Sequence, residues 1–536
     1  MLTRRATRRI GSEWLLTVIS DVRPRKGCYD MAMTPKDAYE QLVASIREIS
    51  TLDSIGSLMS WDEHTYMPAN GTAHRGNQQA LIARMSHEQF TSPKIDELLR
   101  TIEGSELVKD PESDEAANTR ELRRSYDRAR KLPTSLVEEM SRTAVHAQAA
   151  WIEAKKASDF SKFEPWLDKT ISLKQREADC IGFKSNPYDA LLDAYEPGET
   201  AEGIQQVFAP LRKRLVDLIG RIVGSSKKAP VELLERKYPA AIQEKLSREA
   251  AAAIGFDFQS GRLDVTVHPF CQNIGPGDTR ITTRYDENFF GDAFFSVLHE
   301  TGHALYEQGL PKEKHFGLPI AEAISLGIHE SQSRMWENLV GRSRSFWKHF
   351  FPKTKAAFGE VMSDIDEDRW MFAINDVRPS LIRTESDETT YNLHVMLRFE
   401  LEQAMLTGQI KAHDLPGIWN ERMKGYLGVT PPDDARGCLQ DVHWSMGAIG
   451  YFPTYSLGNL YAAQFFEQAR KDLGDLDAMF ARGEFKPLLG WLREKIHRHG
   501  KRYTARQLVK RVTGEDLSAE PLLRHLERNA KEYYAV

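Results

Sequence analysis

Apolar residues recur every three or four positions along most of the chain, which is the pattern of amphipathic helices. The first helix is predicted to begin at Thr34, an N-cap residue followed by proline, and to continue to about Ser50. Residues 61–68 are predicted to form a loop because a Pro-Ala-Asn-Gly run closes them. Helical spacing then dominates residues 74–182, 203–223 and 239–254. The fold class predicted from this pattern is mainly α.

The pattern changes between residues 261 and 285, where apolar and polar residues alternate in two short runs. Such alternation is typical of half-buried strands, and a Gly-Pro-Gly turn separates the two runs. We predict a β-hairpin or small sheet here. It comes immediately before a largely apolar helix predicted over 292–308, and another helix is predicted over 319–340.

Composition narrows the classes of partner. Hydrophobic residues make up 41% of the chain and charged residues 28%, and 72 basic against 77 acidic side chains give a net charge of −5. This balance argues against a nucleic acid as the main partner. No apolar run approaches the roughly 18 residues of a membrane span, so no membrane partner is expected. The four scattered cysteines indicate a reducing compartment and argue against a cysteine-built metal site.

The helix over 292–308 carries the sequence His299-Glu300-Thr301-Gly302-His303. Residues four apart share a helix face, so His299 and His303 can place two imidazoles on one Zn²⁺. Glu300 lies about 100° around the helix and can reach a water on the metal as general base. Gly302 should cost about 1 kcal/mol relative to alanine, which suggests a close backbone approach or a packing contact.

The third ligand is not a histidine on the spacing of the longer zinc motif, because residues 306 and 309 are tyrosine and glycine. A glutamate on a following helix is the usual alternative. Glu322, Glu330 and Glu337 all satisfy that condition, and spacing does not choose among them.

Six short motifs follow one another in order from residue 268 to residue 444. They are His268-Pro269-Phe270, Asp278-Thr279-Arg280-Ile281-Thr282, His299-Glu300-Thr301-Gly302-His303, His329-Glu330-Ser331-Gln332-Ser333, Ile382-Arg383-Thr384-Glu385-Ser386-Asp387-Glu388 and Gly437-Cys438-Leu439-Gln440-Asp441-Val442-His443-Trp444. In this order the chain resembles the thermostable metallocarboxypeptidases of the carboxypeptidase Taq type, peptidase family M32. Ser386 departs from the alanine usual in that family.

This resemblance implies a two-lobed helical zinc-peptidase fold, similar to neurolysin, with a small sheet beside the active-site groove. It implies that the enzyme removes single C-terminal amino acids from peptides with a free C-terminus, and that it is a homodimer. The metal would be Zn²⁺, with Co²⁺ or Mn²⁺ as substitutes, and the resemblance assigns Glu330 as third ligand beside His299 and His303. Glu300 would be the general base for attack by a water on the metal.

Further roles follow from the resemblance and from side-chain chemistry. The candidate donors to the oxyanion are Tyr451, Tyr455 and His443. Arginine suits a terminal carboxylate, and Arg383 is the first choice and Arg280 the second. His268 is a candidate for the substrate backbone. Asp387, Glu388 and Asp441 are expected either to orient the histidines or to form structural salt bridges.

Residues 1–32 are set apart as an Arg-rich, acid-poor extension, read as disordered, as a targeting segment or as a wrongly assigned start. Residues 33–536 are predicted to form one catalytic domain. A cytoplasmic location is expected, with a mitochondrial one as the alternative.

Two other functions compete with a carboxypeptidase. One is a neurolysin-type oligopeptidase, which would use the same metal chemistry without recognising a chain end. The other is an inactive scaffold that only binds peptides, and the intact Glu300 argues against it.

Overall fold

The computed structural model describes residues 33–536. Helices form most of this part of the chain, with short 3₁₀ turns between them. Their bounds are α1 Pro35–Thr65, α2 Thr72–Phe90, α3 Pro93–Ile102, α4 Asp114–Lys131, α5 Thr134–Ala157, α6 Glu164–Ile181, α7 Pro187–Leu192, α8 Ala201–Gly224, α9 Ala240–Ile254, α10 Phe290–Gly309, α11 Lys312–His315, α12 Leu326–Arg334, α13 Arg344–Phe358, α14 Glu367–Ile374, α15 Glu388–Leu406, α16 Leu415–Leu427, α17 Pro453–Leu473, α18 Leu476–Ala481, α19 Lys486–Lys495, α20 Ala505–Thr513 and α21 Glu520–Asn529.

Three strands form a small sheet just before α10. They are β1 Gly261–Val265, β2 Cys271–Gly275 and β3 Asp278–Thr283, in the spatial order β1-β3-β2. β3 pairs in parallel with β1 and antiparallel with β2. The two runs of alternating residues, which contain β1 and β3, therefore form a small sheet but not a hairpin with each other. The hairpin is formed by β2 and β3, and β2 begins only at Cys271. β3 is central and packs on α10, which brings the sheet alongside the motif helix.

The predicted fold class is confirmed, since the described residues are mainly helical with one small sheet. Within residues 33–536, none of the helices combines the length and the hydrophobicity needed to cross a bilayer.

α10 lies inside the main hydrophobic core. Its first turns bury Phe290, Phe294 and Phe295 among aromatic side chains that include Trp347 and Trp370. A helix enclosed on this many sides is fixed in position by packing. A second, smaller core forms where α1, α3 and α4 meet.

Two predicted boundaries are wrong. α1 continues through Thr65, past the predicted end near Ser50, and Trp61 is a buried residue inside it. The predicted helix over 319–340 is interrupted, because Pro319–Ala321 is a 3₁₀ turn and Ser325 begins a new helix as its N-cap. α12 then continues as a π-helical segment, Met335–Val340.

At Gly302 the backbones of α10 and α12 lie close together. A Cβ at this position would lie 2.5 Å from the carbonyl oxygen of Gln332 and 2.6 Å from Cα of Ser333. Both are backbone atoms, which cannot swing away as a flexible side chain would. The expectation of a close backbone approach at Gly302 agrees with this geometry.

Replacing Gly302 by alanine is therefore expected to force α10 and α12 apart. We expect the free energy of unfolding to fall by about 1–3 kcal/mol, although alanine favours helix by about 1 kcal/mol. Urea unfolding measures this change. Gly490→Ala is the matched control, because Gly490 is also helical but has nothing within 4 Å of the added Cβ. Equal effects of the two substitutions would contradict the account.

Candidate metal centre

Three side chains converge where α10 meets α12. Nε2 of His299 lies 3.6 Å, and Nε2 of His303 3.5 Å, from Oε2 of Glu330. The ligand atoms of the three residues all lie within 4.8 Å of one another. The close contact at Gly302 makes this convergence possible, since it brings the α12 backbone within reach of the two histidines.

The remaining ring nitrogen of each histidine has its own partner. Nδ1 of His299 is 2.8 Å from Oε2 of Glu337, and Nδ1 of His303 is 3.1 Å from the carbonyl oxygen of His329. An acceptor at Nδ1 fixes the tautomer with its lone pair on Nε2. Both lone pairs therefore face Glu330.

The guanidinium of Arg334 binds both Glu330 and Glu337. Nε of Arg334 donates to Oε1 of Glu330 at 2.6 Å, and Nη1 donates to Oε2 of Glu337 at 3.3 Å. Arg334 thus occupies the Glu330 oxygen that does not face the histidines, and it also holds the partner of His299.

The local charges favour the forms that bind a metal. Burial opposes ionisation of Glu330, but Arg334 and His299 hold its pKa well below the usual range. Burial and the neighbouring His329 lower the pKa of His303 to about 3, so this imidazole is neutral. Burial also opposes a charge on His299, yet Glu330 and Glu337 raise its pKa, and a bound cation would displace that proton.

The donor set fits a divalent metal. Four-coordinate zinc at about 2.0–2.2 Å from each ligand spaces the ligands about 3.4 Å apart, and the spacings here are 3.5 and 3.6 Å. Two imidazoles and one carboxylate also leave one position open, which is typical of catalytic rather than structural zinc.

Glu300 lies next to this cluster without belonging to it. Its side chain is buried, with 7% of the residue exposed, and burial raises the pKa of its carboxyl to about 7. The Glu300 charge contributes, after burial, to the raised pKa of the Cys271 thiol on β2. β2 packs on α10, so the sheet borders the helix that carries Glu300.

We expect the contact between Glu337 and His299 to strengthen metal binding. Glu337→Gln keeps an acceptor but removes the negative charge, so zinc affinity should fall about 10-fold or more. Competition with a chromogenic chelator measures this change. Glu322→Gln is the matched control, because Glu322 is paired with Lys501 instead of a histidine and should leave the affinity unchanged. Wild-type affinity in Glu337→Gln would remove this role.

A second group of side chains precedes and opens α17. The ring of Tyr451 lies 5.3 Å from that of Tyr455 and 5.4 Å from that of His443, and Tyr455 OH is 3.3 Å from Nε2 of His443. Burial first, and the Glu330 charge as a further cause, raise the pKa of both tyrosines. Burial also lowers the pKa of His443 to about 4. All three groups are therefore neutral near pH 7.

Arg383 is buried beside this group. Its Nε and Nη2 donate to Oδ1 of Asp441 at 3.1 and 2.8 Å, and Nη1 donates to Tyr391 OH at 2.9 Å. A guanidinium has five N–H donors, so two remain for a ligand. The Tyr391 ring lies under Arg334, with 4.3 Å from Cζ to the ring centre, which connects Arg383 to the histidine cluster.

The carboxypeptidase Taq (M32) metallopeptidase family matches residues 41–530. The chain belongs to this family. Thermostable carboxypeptidase 1 from Thermus thermophilus is 48% identical over 512 residues, which cover 94% of this chain and 100% of the relative.

Solved structures agree with that assignment. An M32 carboxypeptidase from Deinococcus radiodurans has a TM-score of 0.90 at 39% identity, covering 93% of this chain and all of its own. Trypanosoma cruzi metallocarboxypeptidase 1 has a TM-score of 0.88 at 37% identity, covering 92% of this chain and 99% of its own. The resemblance drawn from the motifs is confirmed, and the chain is a metallocarboxypeptidase.

Two further candidates of this M32 enzyme, Arg280 and His268, lie apart from the three proposed ligands. Arg280 pairs with Asp278 at 2.7 Å and stacks on Trp61, so its guanidinium is already engaged. His268 is exposed between β1 and β2 and has no hydrogen bond to another residue of the described part. The structure does not bring either side chain into contact with the three proposed ligands.

The three acidic candidates have structural partners. Asp387 is the N-cap of α15, and Glu388 is 2.9 Å from Nε2 of His525. Asp441 lies between Arg383 and Arg398, which hold the pKa of its carboxyl far below the usual range against the effect of burial. Asp441 therefore orients the arginine rather than a ligand histidine.

Two site residues of the M32 enzyme were not foreseen in the sequence. Arg334 lies four residues after Glu330 and three residues before Glu337, so helical spacing places all three on one face. That signal was available. Tyr391 carried no such signal, because its contacts with Arg334 and Arg383 depend on how α15 packs.

Proposed function

We propose that this M32 enzyme is a zinc carboxypeptidase that releases single amino acids from the free C-terminus of peptides. The observation that carries the proposal is the convergence of His299, His303 and Glu330 next to the buried Glu300. The family membership supports peptides as substrates. Residues 33–536 would form the single catalytic domain, and the preceding extension lies outside the described residues.

In this proposal His299, His303 and Glu330 hold the metal, with Co²⁺ or Mn²⁺ able to replace zinc. A metal held by these residues would supply Lewis acidity for activating a water and polarising the scissile carbonyl. Nδ1 partners Glu337 and His329 keep the two imidazoles in the tautomer that ligation needs.

Glu300 accepts the proton of the attacking water and then passes it to the leaving amine. Its raised pKa, about 7 because of burial, supports this role, since a group that gains and loses a proton works best near the ambient pH. One of three side chains is proposed to donate a hydrogen bond to the oxyanion, and the candidates are Tyr451, Tyr455 and His443. The neutrality of both tyrosines leaves each with an O–H to donate.

Arg383 is proposed to bind the terminal carboxylate of the peptide. Its two remaining N–H groups suit a carboxylate, and Asp441 and Tyr391 already fix the plane of the guanidinium. Arg280 and His268 remain weaker proposals for substrate binding. The homodimer is proposed from the family resemblance, and the cytoplasmic location from the four scattered cysteines, with a mitochondrial location as the alternative.

The test uses short peptides that differ only in the last residue, with metal-free and zinc-loaded enzyme. We expect the zinc-loaded enzyme alone to release that single residue, at rates that depend on its side chain. Release of longer fragments would favour the oligopeptidase. No cleavage by zinc-loaded protein that still binds the peptides would favour the inactive scaffold.

A further inference from the structure

The first turn of α12 is held by a buried carboxylate from a distant part of the chain. Glu196, just after α7, is only 1% exposed. Its Oε1 accepts from Ser325 Oγ at 3.0 Å and from Tyr461 OH at 2.9 Å, and its Oε2 accepts from the Gly327 N–H at 3.0 Å.

The N–H groups of the first three residues of α12 are all bound by this arrangement. The N–H of Leu326 donates to the carbonyl oxygen of Tyr195 at 2.9 Å, and the N–H of Ile328 donates to Oγ of Ser325 at 3.0 Å. Helix termini ordinarily leave such groups to water or to caps. In α12 these N–H groups donate to residues 195–196 and to the N-cap Ser325, whose hydroxyl is bound by Glu196.

Two glycines allow α12 to pack closely against its neighbours. A Cβ at Gly327 would lie 2.6 Å from Oε2 of Glu196 and 2.9 Å from the Tyr461 ring, so only glycine fits beneath the carboxylate. One turn further along, a Cβ at Gly458 of α17 would lie 2.5 Å from Cγ of Glu330. The helix is thus fixed at its start by Glu196, and Glu330 is in direct contact with α17.

Glu196 is also an unusual group for this position. Burial raises the pKa of its carboxyl to about 7, and its three direct partners are two hydroxyls and a backbone N–H rather than a cation. A buried carboxylate without a cationic partner costs free energy that a neutral residue would not. The favourable place for it is a helix N-terminus, where the backbone dipoles oppose the negative charge.

We propose that Glu196 is a positioning residue for the third metal ligand. By fixing the first turn of α12, it sets the direction in which the Glu330 carboxylate points toward His299 and His303. This inference rests on the proposed function in one respect, namely that Glu330 is a ligand. The neighbouring Tyr195 ring lies 5.3 Å from that of Tyr451, so the same segment also borders the oxyanion side of the site.

The test is the affinity of the full-length Glu196→Gln protein for Zn²⁺ alone, measured by competition with a chromogenic chelator. Glutamine keeps the shape but loses the charge. Its amide N–H₂ group faces either the Gly327 N–H, which can only donate, or the Ser325 and Tyr461 hydroxyls, which would have to turn from donors into acceptors. We expect the zinc dissociation constant to rise about 10- to 100-fold. The visible absorption spectrum of the Co²⁺-loaded protein should change as well, because the ligand geometry changes.

Glu402→Gln is the matched control. Glu402 is equally buried, has a pKa raised by burial to about 7, and accepts from Tyr188 OH, Trp444 Nε1 and the Gly450 N–H. It supports the segment before Tyr451, and none of these three partners lies on α12. We expect it to lower the unfolding temperature about as much as Glu196→Gln, with unchanged zinc affinity and an unchanged cobalt spectrum.

The outcomes separate the two ideas. Wild-type zinc affinity in Glu196→Gln, or an equal loss of affinity in Glu402→Gln, would overturn the positioning role. Wild-type affinity in Glu330→Gln would instead overturn the ligand assignment. If Glu196→Gln does not fold, Tyr461→Phe removes a single donor to Glu196, and the proposal requires weaker zinc binding in that variant. Unchanged binding there would overturn it.

Discussion

Glu300→Gln is expected to lower kcat by about 10²- to 10⁴-fold while zinc remains bound. Glutamine has nearly the same shape and can fill the same buried position, so packing of α10 should change little. It cannot accept the proton of the attacking water, which is the role assigned to the carboxylate. Steady-state rates on a free-ended peptide, together with the zinc content of the purified protein, measure both parts of the expectation.

The zinc content distinguishes loss of the general base from loss of the metal as the cause of lower activity. An inactive Glu300→Gln protein that also lacks zinc would show that the substitution damages the metal site. In that case Glu300→Asp would serve as the test variant, and we expect it to have a reduced but measurable rate. Unchanged activity with zinc bound would remove Glu300 from the mechanism.

Arg383→Met is expected to abolish the preference for a free chain end. The wild-type enzyme should cleave a peptide acid far faster than the corresponding C-terminal amide. A hydrogen bond to a charged group contributes about 1.5–3 kcal/mol, and loss of a two-pronged contact should lower kcat/KM on the acid by 10²-fold or more. The amide, which lacks the charge, should lose much less. The ratio of the two kcat/KM values measures this effect.

Arg398→Met is the matched control for that experiment. Arg398 is fully buried and binds the other oxygen of Asp441, so its loss disturbs the same carboxylate without removing Arg383. We expect lower stability but a retained preference for the free acid. If both variants lose the preference equally, the Asp441 cluster acts as a whole and the carboxylate role of Arg383 is contradicted.

Local patterns in the sequence predicted the features that depend on local spacing. His299 and His303 lie on one helix face because they are four residues apart, and Gly302 between them does contact neighbouring backbone. From spacing alone the third ligand stayed open among three glutamates. The structure separates them, since Glu322 pairs with Lys501, Glu337 contacts His299, and Glu330 faces both histidines.

Features that depend on contacts between segments distant in the chain could not be predicted from the sequence. Glu196 holds Ser325 across 129 residues, and no periodicity connects the two positions. The break before α12 was missed for the same reason, because the N-cap Ser325 is stabilised by Glu196 as well as by its own helix. α1 was predicted too short because the Pro-Ala-Asn-Gly run was taken to close a loop that begins at residue 61, whereas the helix continues to Thr65 and ends only just before that run.

The central claim is that a zinc site and an arginine together direct hydrolysis to the last peptide bond. The most direct test follows the products from one peptide with a free and with an amidated C-terminus, by mass spectrometry, using zinc-loaded wild-type enzyme. The account predicts stepwise loss of single residues from the free acid and little cleavage of the amide. Equal cleavage of both peptides at internal bonds would contradict it.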